Sequence, residues 1–156
     1  MKLSDYVMDF LARQGVRHVF FVAGGGSMHL NDSLGRHPDL VPVACLHEQA
    51  AVIAAEYHAR ITGQLSVALV TCGPGGTNAV TGVASAWVDS VPVLVFSGQV
   101  KRADLRRRGE RQRGVQEVPI TEMVRPVTKC ATTISDPSDI AHHLEIAVSI
   151  ALNHRQ

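Results

Sequence analysis

The sequence predicts an α/β domain of three layers (α/β/α), with helices on both faces of a mainly parallel sheet. Three observations carry that expectation. Apolar runs of five to seven residues alternate with stretches of helical periodicity, the pattern of repeated strand–helix units. Glycine-rich segments follow two of those runs, at Ala23–Gly26 and Gly73–Gly76. The composition is 46% hydrophobic but only 4% aromatic, so Val, Ala, Leu and Ile must do the packing, as they do in sheets covered on both faces. The 156 residues suffice for one domain with a sizeable core.

Ser4 reads as the N-cap of a first helix whose apolar face is Val7, Met8, Phe10 and Leu11 and which stops at Gly15. His18–Val22 follows as a strand, broken by the glycines after Ala23. A helix is expected over Met28–Leu34, and Val41–Leu46 reads as a second buried strand. Glu48–Thr62 is the strongest helical pattern, rich in alanine and closed by Gly63. Val67–Thr71 is a third strand, Thr77–Val88 a helix and Val91–Ser97 a fourth strand. Regularity fails from Gly98 to Pro119, and Val127–Ile134 reads as a further strand. Asp136 and Pro137 supply an N-cap and first-turn proline for a last helix running to about Leu152. No repeat or linker divides the chain. A parallel sheet would gain one more strand after that helix, so residues 1–156 are expected to form one domain lacking its final strand.

The formal net charge is +1, which points to no nucleic-acid partner. No apolar stretch approaches the roughly 18 residues of a membrane span, and the N-terminus lacks a signal-peptide core, so a cytoplasmic protein is expected. Cys45, Cys72 and Cys130 form no CxxC pair, against a disulfide framework or a structural zinc site. The basic run Lys101–Arg113 has no interleaved aromatics and reads as a solvated loop, with an anionic substrate tail or a subunit contact as alternatives. His142 and His143 read as a surface pair rather than a metal site.

Chemistry is best sought where strands give way to helices, because ligands of open parallel sheets bind at the carboxyl ends of the strands. Glu48 sits at such a junction, at the start of the alanine-rich helix. It could simply complement the helix dipole. A carboxylate partly buried on that edge is also held toward its protonated form and can exchange a proton with a ligand nitrogen. A metalloprotease His-Glu-x-x-His motif is excluded, since Ala51 stands where the second histidine would be. The Ala23–Ser27 loop is a sharp turn or a site of close ligand approach, and it is not a GxGxxG fingerprint. The loop Cys72–Asn78 could receive an anion at a helix N-terminus, but it lacks the Lys-Ser/Thr of a P-loop.

The segments VFFVAGGGSMHL, HEQAAVIAAEYHARITG, ALVTCGPGGTNAVTGVASAWVDSVPVLVFSGQV and GVQEVPITEMVRPVTK followed by DPSDI resemble, in order and spacing, the N-terminal domain of the acetolactate synthase family of thiamine diphosphate enzymes. The resemblance implies a decarboxylase or carboligase acting on an α-keto acid, with this domain holding the cofactor's aminopyrimidine. Glu48 matches the family glutamate that hydrogen-bonds the pyrimidine ring and activates the cofactor for deprotonation at C2. Pro74 and Asn78 match positions lining the pyrimidine pocket, and Gln116 a glutamine near the reacting centre. Gly24 and Gly25 fall in the loop that approaches the cofactor across a subunit interface.

The diphosphate and a Mg2+ ion are implied on a second domain of similar fold, whose Gly-Asp-Gly…Asn-Asn segment does not occur among these residues, so the chain alone is not expected to be active. A dimer or tetramer is implied, and the helix after Glu48, apolar on most faces, is expected to offer one side to a partner subunit. Ala23 stands where the family has proline and Val115 where an aromatic is usual, leaving substrate choice and any FAD-binding role open. A non-catalytic scaffold or regulatory domain of the same fold is the competing reading. Joint retention of Glu48, Pro74, Asn78 and Gln116 weighs against it.

Overall fold

Alternate residues of the central strands feed two different cores. Val19, Val67, Leu69 and Leu94 join one apolar cluster, whereas Phe20, Ala68 and Val70 join another. That two-sided burial follows from the period of two along a strand and requires helices on both faces. The computed structural model, which describes residues 1–107 and 109–153, supplies them. In chain order the elements are α1 (Leu3–Arg13), β1 (His18–Phe21), α2 (Met28–Arg36), β2 (Val41–Ala44), α3 (Glu48–Thr62), β3 (Ser66–Val70), α4 (Pro74–Val88), β4 (Val93–Ser97), α5 (Ile120–Val124) and α6 (Ile140–Leu152). The strands form one parallel sheet in the order β2-β1-β3-β4. Val7, Met8, Phe10 and Leu11 of α1, Leu34 of α2 and Leu144 and Val148 of α6 cover one face. Ala51, Val52 and Ala55 of α3, with Ala79 and Val83 of α4, cover the other. The three-layer α/β/α expectation is met.

Local chemistry explains the boundaries. Gly63 closes α3 in the left-handed conformation (φ 68°), with its N–H donating to Ala59 O. Asp136 caps the turn Pro137–Asp139 that leads into α6, its side chain accepting from the Ser138 N–H. Other expectations are corrected. Ser4 is not an N-cap: α1 begins at Leu3 with Lys2 in the cap position, and Ser4 is buried with its Oγ 2.8 Å from Ser33 Oγ. β2 is not a buried strand. It pairs only with β1 and leaves Val41, Pro42 and Ala44 exposed, an edge position that also tolerates the proline. α4 starts three residues earlier than its apolar pattern suggests, because Pro74 at the first turn needs no N–H partner.

The strand expected over Val127–Ile134 does not form. A short 3-10 turn covers Arg125–Val127 and the chain then runs irregularly, so among the described residues no strand pairs with the outer edge of β4. An apolar groove of about 910 Å³ lies there, lined by Leu94, Phe96, Ala131, Ile134, Leu144 and Ala147 among others. The free flank expected of α3 is largely taken by α4 of the same chain, which shares its core, although Tyr57 and Ile61 stay exposed. Among the described residues no helix is long and apolar enough to cross a membrane.

At the amino ends of β1 and β3, away from the strand-end loops, His58 of α3 meets Ser66 Oγ at 2.7 Å and the His18 ring at 5.0 Å between centroids. Burial, and then the neighbouring His18, hold His58 below the ordinary histidine value of 6.5. The unfolded chain therefore binds more protons than the native one between that value and the lower native one. Stability should be fully present above about pH 6.5 and be lost as pH falls through that window. Urea unfolding at pH 5 and pH 7.5 should give a gap that narrows in His58→Asn. An unchanged gap would remove His58 as its source.

Candidate functional site

β1 lies at the middle of the chain's path through the sheet: the next strand, β2, forms on one side of it and β3 on the other. This reversal makes a crevice at the carboxyl ends of β1 and β3, where open parallel sheets bind ligands. The crevice is narrow because the two outgoing loops touch. A Cβ on Gly24 would fall 2.4 Å from Thr71 Cβ, so only glycine admits this contact. The Gly26 N–H donates to Thr71 Oγ1 at 3.0 Å and pins the loop. A Cβ on Gly25 would meet nothing within 4 Å.

The loop after β3 turns sharply at Gly73 (φ 64°, ψ −129°) before entering α4. Gln116, a non-glycine residue also at positive φ (56°), lies over it, and a Cβ on Gly73 would sit 2.0 Å from the Gln116 carbonyl oxygen. Backbone of this kind costs about 1–3 kcal/mol and persists only where its surroundings enforce it. It puts the Gln116 turn directly on the N-terminus of α4. Val115, beside it, is 80% exposed.

Glu48 enters from the far side of the crevice as the first residue of α3, and it is half-buried. Its Oε2 accepts from Asn78 Nδ2 at 2.7 Å, and Asn78 projects from the first turns of α4. The same Nδ2 lies 3.1 Å from His47 Nε2, so one amide can serve both groups when His47 carries its proton on Nδ1. Glu48 Oε1 faces the bare backbone of Gly75, where a Cβ would lie 3.3 Å away. One carboxylate oxygen is thus oriented by an amide and the other lies beside the Gly75 backbone, near the Thr71 methyl. Such a set can hold a flat nitrogen heterocycle and exchange a proton with its ring nitrogen.

The structure therefore joins Glu48 and Asn78 directly and sets Pro74, exposed, at the same helix start. It brings Gln116 onto Gly73 and links Gly24 to the cluster through Thr71. Gly25 has open space where a side chain would stand. Sequence reasoning overlooked Thr71, His47, Gly75 and the buried Glu117. Thr71 and Gly75 had a signal, since each lies in the strand–glycine–helix segment already singled out. Among the described residues no three His, Cys, Asp or Glu side chains gather as a metal site, and the His142 and His143 rings lie tilted to each other with centroids 5.9 Å apart.

Residues 1–123 match the family described as "Thiamine pyrophosphate enzyme, N-terminal TPP binding domain". The chain belongs to that family. Acetolactate synthase, chloroplastic, of Arabidopsis thaliana is 39% identical over 154 residues, which cover 99% of this chain and 22% of that protein. The acetolactate synthase of Arthrospira platensis is 36% identical over 152 residues, 96% of this chain and 25% of that protein. Acetolactate synthase isozyme 3 large subunit of Escherichia coli K12 is 38% identical over 152 residues, 97% of this chain and 26% of that protein. The chain thus spans about a quarter of the length of these relatives, and it aligns with a thiamine pyrophosphate-binding domain.

Gly73→Ala must move the Gln116 turn and force a side chain into a left-handed conformation. It should cost about 1–3 kcal/mol or more in chemical denaturation. Gly25→Ala, with open space around it, should stay within about 0.5 kcal/mol. Equal effects at the two positions would contradict the interlock.

Proposed function

We propose that this chain is the aminopyrimidine-binding part of a larger thiamine diphosphate-dependent decarboxylase or carboligase acting on an α-keto acid. The observation that carries the proposal is the divided environment of Glu48, with Oε2 held by Asn78 and Oε1 turned to the bare backbone at Gly75. When bound, the cofactor supplies a carbanion equivalent that adds to a carbonyl carbon, chemistry no side chain of this domain offers. The protein's part is proton inventory. Glu48 Oε1 would give a proton to, or share one with, a pyrimidine ring nitrogen, while Asn78 fixes the carboxyl plane. Gly24, Thr71 and Pro74 would wall the ring, and Gln116 would stand toward the substrate side. Gly25, in the same loop as Gly24, would approach the cofactor at a subunit interface.

The residues of the crevice suit a flat heterocycle. We place the diphosphate and Mg2+ on a second domain outside these residues. Leu46, fully exposed beside His47 and Glu48, and Val115 offer apolar surface for a second copy in a dimer or tetramer. The groove along β4 is of the size and character to take a strand that follows α6 in a longer chain. No role for FAD is proposed.

The test is Glu48→Gln in the full-length protein. Hydrogen–deuterium exchange at C2 of bound thiamine diphosphate should slow by about 10²–10⁴-fold, the usual contribution of a positioned acid–base group. Thermal unfolding should be unchanged. Normal exchange in a folded variant would sink the role given to Glu48.

A further inference from the structure

Between Lys101 and Arg113 the chain carries seven basic side chains and two acidic ones, with Leu105 its one large apolar residue. A segment of that composition repels itself and has little surface to bury. Arg106 pairs with Glu122 at 2.6 Å, and the segment is held further by Glu117, a carboxylate only 5% exposed. Oε1 accepts from the Arg106 N–H at 2.8 Å, and Oε2 accepts from the Arg113 N–H at 3.2 Å and the Gly114 N–H at 3.0 Å. One side chain thus ties the middle of the basic loop to its C-terminal end. Burial pushes the Glu117 carboxyl up, but the three backbone donors and the charge of Arg106 outweigh it and hold it below the usual glutamate range. The carboxylate is charged at neutral pH, and its hydrogen bonds are of the stronger, charge-assisted kind.

The same residue closes the turn that carries Gln116. The Glu117 N–H donates to Gly114 O at 3.4 Å, across a four-residue turn whose third position is Gln116 at φ 56°. Gly114 is therefore held from both sides, by the carboxylate at its N–H and by the Glu117 amide and Gln112 Nε2 at its carbonyl. With Gly114 and Glu117 fixed, the unfavourable backbone of Gln116 has nowhere to relax, and its carbonyl stays on Gly73, two residues before the Gly75 that faces Glu48.

We propose that Glu117 is a positioning residue, whose buried carboxylate ties the basic loop to the Gly114–Glu117 turn and thereby holds Gln116 at the mouth of the cofactor crevice. The proposal deepens the functional reading above and rests on it for the role of Gln116. It implies that the basic loop and the substrate side of the site are one mechanical unit. Whatever binds the arginines is then felt at Gln116 through the Glu117 carboxylate, alongside the Gln112–Gly114 hydrogen bond.

The experiment uses the full-length protein and whichever of pyruvate, 2-oxobutyrate or glyoxylate it consumes fastest. Glu117→Ala should lower kcat/KM by about 10–100-fold, the size of effect a roughly 1 Å displacement at a site produces. Affinity for thiamine diphosphate should not change. In a Gln116→Ala background Glu117→Ala should add no further loss, because it acts through the side chain already removed. Trypsin should nick the chain between Arg102 and Arg113 faster in either Glu117 variant. If Glu117→Ala does not fold, Glu117→Gln, which keeps the shape and one acceptor oxygen, carries the same comparisons. Losses that multiply in the double variant, or nicking that does not change, would overturn the proposal. Glu48 is read separately by C2 exchange, so failure here and failure of the functional reading are distinguishable.

Discussion

The contact between the loops leaving β1 and β3 is the constraint on which the rest depends. The chain departs from β1 in one direction across the sheet and returns to build on its other side, so both loops leave adjacent strands at the same edge. They can lie together only if one lacks side chains at the crossing, as Gly24 does against Thr71. The closeness has two effects. It ties the strand ends together through the Gly26–Thr71 hydrogen bond, and it leaves a wall of backbone where a larger residue would have filled the crevice. A ligand entering there meets peptide edges on one side and the Glu48–Asn78 pair on the other.

A second layer of constraint is electrostatic. Glu48, Glu117 and Glu56 are carboxylates held in different ways. Glu56 is fully buried on α3 and takes both Nε and Nη2 of Arg60, which also reaches Asp89 just beyond α4, so it locks two helices together. Glu117 is saturated by backbone donors. Glu48 alone combines partial burial with an oxygen left toward the crevice. A structural carboxylate spends its acceptors inside the protein, whereas one that handles protons must keep an acceptor for its ligand. That difference in free valence separates Glu48 from Glu117, whereas Glu56, whose Oε2 has no partner, differs from Glu48 in being fully buried.

The parts legible in the sequence were those written in local patterns. α3 could be bounded to the residue because alanine-rich periodicity ends at a glycine forced into the left-handed region. β3 is buried on all its residues and stood out as an unbroken apolar run. Glu48, Asn78 and Gln116 were found through long motifs, and the structure adds the hydrogen bond and the glycine seat that relate them. What could not be read depended on neighbours. An apolar run such as Val41–Leu46 carries the same signal whether it is central or at an edge, although Pro42 in its middle was a warning. Val127–Ile134 has strand-like composition, yet a strand exists only where another strand offers it hydrogen bonds. Glu117 drew no reading of its own, because backbone acceptor roles leave no trace in composition.

The distribution of exposed apolar surface bears on how such a site can work. Leu46 is fully exposed on the loop that delivers Glu48, and Val115 is 80% exposed beside Gln116. Isolated apolar residues on a surface need no explanation. These two lie next to the two polar residues to which chemistry is assigned, on loops that the crossing holds in place. Proton exchange between a carboxyl and a ring nitrogen is most effective where water is excluded, since bulk solvent weakens the interaction and competes for both groups. The crevice of a single domain is open on that side and leaves Glu48 half-exposed. Covering Leu46 and Val115 with a second apolar surface would bury the carboxylate's surroundings in the same event that completes the cofactor's binding site. In the assembly proposed above, such a cover would supply the low-polarity surroundings that the proposed proton exchange at Glu48 requires.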